Sequence, residues 1–96
     1  MNKPVERRAY YVQAWYGETA ESSSPTIYGY YPNEPTAKVQ LWKLAKRDNV
    51  WLIELYTGIE TATPDDEFGM EYPTWNLKDN TDWETVKTWN KQLVSL

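Results

Sequence analysis

The chain has 96 residues, including six Trp, eight Tyr and one Phe, but no Cys and no His. It has the length of one domain, 1–96, and it lacks the side chains most used in nucleophilic and thiolate-metal chemistry. Net charge is −4, yet residues 48–77 hold seven acids (Asp48, Glu54, Glu60, Asp65, Asp66, Glu67 and Glu71) and no base, a one-signed stretch that repels phosphate backbones and makes direct nucleic-acid binding an unfavourable reading.

Arg7 to Gly17 is rich in Tyr, Val and Trp and stops at Gly, the composition of a strand ended by a turn residue. Residues 18–36 concentrate Ser, Pro, Thr, Gly and Asn, which predicts a long loop. Two strand-like runs, Ala37 to Ala45 and Val50 to Thr57, flank the polar residues Lys46 to Asn49 and predict a hairpin over 37–57. Its parity places Trp42, Leu44, Trp51, Ile53 and Leu55 on a core face, with Lys43 opposite Glu54 on the wetter side. The segments Val12-Gln13-Ala14-Trp15 and Val39-Gln40-Leu41-Trp42 read as two similar strands.

Residues 58–80 are ambiguous. Thr63-Pro64 can open a helical turn, and Tyr72 to Leu77 can form a short edge strand. Thr81-Asp82-Trp83-Glu84 has capping-box spacing, and Trp83, Val86, Trp89, Leu93 and Leu96 share one stripe at 100° per residue. That pattern predicts a C-terminal amphipathic helix packed on the Trp42 and Trp51 face. The expected fold class is therefore α+β, a small antiparallel sheet of three or four strands with that helix across one face.

The sequence carries few signs of catalysis. Ser22, Ser23 and Ser24 have no His or Cys partner, the four glycines form no phosphate-binding motif, and fourteen acids offer carboxylate pairs without selecting one. The acids at 65–71 lack the alternating spacing of a calcium loop. No catalytic residue, cofactor or metal is expected. The N-terminus has no apolar run of signal-peptide length, and the run Val50 to Ile53 is far short of the roughly 20 residues a spanning helix needs, so cytoplasmic residence without a membrane is expected.

Aromatic excess without reactive groups favours binding. Tyr28, Tyr30, Tyr31 and Asn33, preceded by three Ser, have the composition of a paratope. Asp65, Asp66, Glu67 and Glu71 would supply steering and specificity, or would mimic a nucleic acid in a partner's phosphate groove. The expected function is a non-enzymatic protein-binding module, an inhibitor or adaptor. Two alternatives are a carbohydrate-binding module that stacks sugars on exposed Trp and Tyr, and a structural subunit that pairs with its own copy, as a homodimer, or with a larger complex.

Overall fold

A computed structural model describes residues 4–62 and 74–91. Its frame is an antiparallel sheet of five strands: β1 (Val5–Tyr16), β2 (Ser24–Tyr31), β3 (Val50–Ala62), β4 (Asn76–Leu77) and β5 (Glu84–Asn90). The order runs β2-β1-β3, and both β4 and β5 pair with the far edge of β3. β4 meets its C-terminal end, at Glu60↔Leu77, and β5 runs along its first half, from Leu52↔Asn90 to Thr57↔Glu84. The longest ladder joins β1 to β3, from Val5↔Ala62 to Tyr16↔Val50. The strand expected over Arg7 to Gly17 is thus present and two residues longer at its start. The run from Val50 to Thr57 is also a strand, and it continues five residues further.

Helix α1 (Glu34–Ala45) lies mid-chain, and here the expected hairpin over 37–57 is overturned. The Asn33 carboxamide oxygen accepts the Thr36 N–H at 3.0 Å, Pro35 occupies the first turn, and Glu34 places a negative charge at the helix start. Ala37, Leu41 and Leu44 then recur at helical spacing and are fully buried, whereas a strand would have pointed successive residues to opposite faces. Trp42 is therefore not core: it is 48% exposed on the outer side of the helix, with the Lys87 ammonium 5.2 Å from its ring centroid. Lys43 does not oppose Glu54, whose β-partners are Gln13 and Thr88. The two similar tetrapeptides take opposite structures, one in β1 and one in α1.

The expected C-terminal helix is also overturned, and with it the expected fold class. Glu84 to Asn90 is a strand on β3. Thr85, Val86 and Thr88 are β-branched and suit a ladder, and Trp89, opposite Ile53, packs against the core from a strand rather than from a helical stripe. The Thr81 hydroxyl does not cap a helix but donates to the Lys78 carbonyl at 2.5 Å. Leu93 and Leu96 lie outside the described residues, as does the turn expected at Thr63-Pro64.

The core occupies one face of the sheet. Val12 and Ala14 from β1 and Val50, Ile53 and Leu55 from β3 meet Ala37, Leu41 and Leu44 of α1, all fully buried. Each buried Leu or Ile contributes roughly 1.5–3 kcal/mol of transfer free energy. Tyr10, Tyr16, Tyr28, Tyr31 and Trp89 ring this cluster and give it the aromatic area a small domain needs. Trp51 donates its indole N–H to the Gly17 carbonyl at 2.8 Å, tying the start of β3 to the end of β1.

Candidate functional site

β-Strand parity divides β1 into two different rows. Tyr10, Val12, Ala14 and Tyr16 face α1, whereas Arg7, Ala9, Tyr11, Gln13 and Trp15 face away from it. On β3 the partners of this second row are Glu60, Gly58, Tyr56, Glu54 and Leu52. Among the described residues no helix covers this second face.

One end of the face is sealed by its own side chains. Arg7 donates from Nε to Glu60 Oε1 at 2.9 Å and pairs with the same oxygen through Nη2 at 2.8 Å. Its guanidinium stacks between two rings, 3.6 Å from the centroid of Tyr30 and 4.1 Å from that of Trp75. The Tyr11 hydroxyl donates to Glu60 Oε2 at 2.8 Å, so both oxygens of this glutamate, 5% exposed, are engaged, as a buried carboxylate requires. Burial, then the hydrogen bond and charge of Glu60, raise the Tyr11 hydroxyl pKa, and Arg7 partly offsets the rise.

The next rung pairs Ala9 with Gly58. A Cβ at Gly58 would stand 2.5 Å from Trp83 Cε3, so the missing side chain is what lets the indole lie against β3. Trp83 stands perpendicular to Tyr11 and Tyr56, at centroid distances of 5.4 and 5.3 Å. Those two tyrosines stack on each other across the strands at 5.9 Å and 23°. Edge-to-face and offset arrangements of this kind contribute about 0.5–1.5 kcal/mol per pair beyond area burial.

Below this cluster opens a cavity of about 440 Å³, lined by Tyr11 and Gln13 of β1, Ile27 of β2, Glu54 and Tyr56 of β3, Trp83, and Thr85 of β5. Among the described residues its walls offer aromatic faces, the polar side chains of Gln13 and Thr85, and one charged group, the Glu54 carboxylate. Burial, then the Glu54 charge, raise the Tyr56 pKa, so its hydroxyl remains protonated at neutral pH. A second cavity, about 360 Å³, opens on the helix-bearing face between Arg8, Ile59 and Asp82 and is more polar.

The residues singled out in the sequence scatter. Tyr28 and Tyr31 belong to the face that carries α1 and pack on the core. The Tyr28 and Tyr16 hydroxyls lie 2.6 Å apart, and burial, then this contact, push Tyr16 up to about 12 despite nearby Arg47. Burial, then Tyr28, also raise Tyr31. Tyr30, 39% exposed, stacks on Arg7 on the other face. The split arises at Gly29, with φ of 132°, beside a register shift between Tyr10 and Val12 that turns the strand. Asn33 is occupied in capping α1. Asp65, Asp66, Glu67 and Glu71 lie outside the described residues. The expected loop over 18–36 is instead a short connection, the strand β2 and the helix start.

Among the cavity residues, Glu54 was noted as one of the seven acids and as the expected partner of Lys43, not as part of a site. The signal for the rest was in β1, where large side chains occupy both parities, the mark of a strand packed on two sides. Trp83 carried no such signal, because it reaches the site from a segment that reads as a helix.

Among the described residues no three acidic side chains gather to hold a metal ion, and no helix is long and apolar enough to cross a membrane. No protein-family model, curated protein or solved structure matches the chain.

Proposed function

We propose that the chain is a non-enzymatic protein-binding module, acting as an inhibitor or adaptor, whose contact surface is the sheet face opposite α1. The observation that carries this reading is the cavity walled by Tyr11, Tyr56 and Trp83. Interface energy concentrates in such aromatic-lined pockets held by a rigid frame, and here the Arg7–Glu60–Tyr11 network supplies the frame. Ile27, 59% exposed, stands on the rim. The acidic stretch keeps the steering role, with Glu54 as its representative on this face, since Glu60 is engaged internally. Residence in the cytoplasm, suggested by the lack of cysteine, belongs to the same proposal.

The test is affinity capture from the lysate of the source cells with wild type, Ile27→Arg and Val39→Arg. Val39 is 54% exposed on α1, so both substitutions put a charge on an exposed position and spare the core. Wild type and Val39→Arg are expected to retain one stoichiometric protein that Ile27→Arg retains at least about tenfold less. An empty capture refutes the module, and loss with Val39→Arg alone moves the surface to the helix.

A further inference from the structure

The same sheet face holds two groupings of similar chemistry. In the first, two aromatic rings and the Glu60 carboxylate surround the Arg7 guanidinium, with ring centroids 3.6 and 4.1 Å from it. In the second, six residues before Glu60 on β3, the Glu54 carboxylate lines one cavity together with the rings of Tyr11, Tyr56 and Trp83. Among the described residues Glu54 has no ion pair. The nearest cation on the neighbouring strand, Lys87, faces the other way, toward Trp42, and Arg47 stands over Tyr16. Residues 48–77 contain no base at all.

Resting on the protein-binding reading, we propose that this cavity receives an arginine side chain of the partner, stacked on its rings and paired with Glu54. Charge complementarity selects a cation, because among the described residues the one charged wall group is the half-buried Glu54 carboxylate. The planar guanidinium is preferred over the ammonium of lysine because it is more weakly hydrated, stacks on aromatic faces and bonds a carboxylate through two donors. Arg7 makes those same interactions on this face. The partner's arginine repeats that internal contact across an interface.

The experiment titrates the ¹⁵N-labelled protein with Nα-acetyl-arginine amide and with Nα-acetyl-citrulline amide, which has the same shape without the charge, while following the Trp83 indole signal. The arginine probe is expected to shift this signal saturably in the millimolar range, and citrulline to bind about tenfold more weakly. Glu54→Gln should weaken the arginine probe about tenfold. Thr85→Arg, at an exposed position, should abolish its binding by bringing a tethered guanidinium to the cavity. Equal binding of citrulline, unchanged affinity in a folded Glu54→Gln or Thr85→Arg protein, or a Trp83 response to cellotriose with none to arginine would each overturn the proposal. Partner loss in Ile27→Arg without arginine binding sinks the guanidinium and leaves the module standing. Arginine binding with an empty capture does the reverse.

Discussion

Leu41→Ala is expected to lower stability by about 3 kcal/mol, whereas Trp42→Ala, one residue on, should cost about 1 kcal/mol. Leu41 is fully buried in the cluster between α1 and the sheet. Its truncation removes transfer free energy and leaves a void that close-packed neighbours cannot collapse into completely. Trp42 is half exposed and forfeits mainly partial ring burial and its contact with Lys87. For a domain of this size the Leu41 variant should melt about 12–24 °C below wild type. Thermal unfolding followed by circular dichroism checks the order. A larger loss at Trp42 would mean that residues 37–45 pack as the strand their composition suggests.

The second large effect concerns Gly58. Adding one methyl group there displaces Trp83, whose ring would lie 2.5 Å from the new carbon, and breaks its contacts with Tyr11 and Tyr56. Gly58→Ala is expected to cost about 2 kcal/mol. In a Trp83→Ala background the clash partner is gone, and the same substitution should be neutral or stabilising by up to about 1 kcal/mol, because alanine loses less backbone entropy than glycine in a strand. The double-mutant cycle therefore predicts a coupling of about 2–3 kcal/mol, measurable by denaturant unfolding. Additive costs would show that Trp83 does not rest on Gly58.

These two positions also show where sequence patterns stop. β1 was legible because Tyr, Val and Trp dominate it and Gly17 ends it. β3 was legible as far as Thr57, where Gly58 reads as a strand end although it is the site of a close approach. The helix was masked by Val39 and Trp42, apolar residues on its solvent side, while its true signals, the Asn33 cap, Pro35 in the first turn and the Ala37, Leu41 and Leu44 spacing, lay partly inside a segment rich in loop formers. β2 was hidden by Pro25 and Gly29, which an edge strand tolerates and a central one does not. At Glu84 to Asn90 a helical stripe competed with β-branched residues, and pairing with β3 decided the outcome, a tertiary contribution that local periodicity does not contain.

The candidate site was less legible than the fold for the same reason. Tyr30 was drawn from composition and lies on the face opposite α1, as a wall around Arg7. The cavity assembles residues from β1, β2, β3 and β5 together with Trp83, so it exists only after the strand order β2-β1-β3-β5 is set. The alternation of large side chains on both faces of β1 was the one local sign that side chains also pack on the sheet face opposite α1.

That second surface is the central claim, and the indole N–H signals of the six tryptophans report on it directly. A ¹⁵N correlation spectrum of the labelled protein with its captured partner should shift or broaden the Trp83 signal while leaving that of Trp42, on the outer side of α1, in place. A shifted Trp42 signal with Trp83 unmoved would place the partner on the helix and contradict the account.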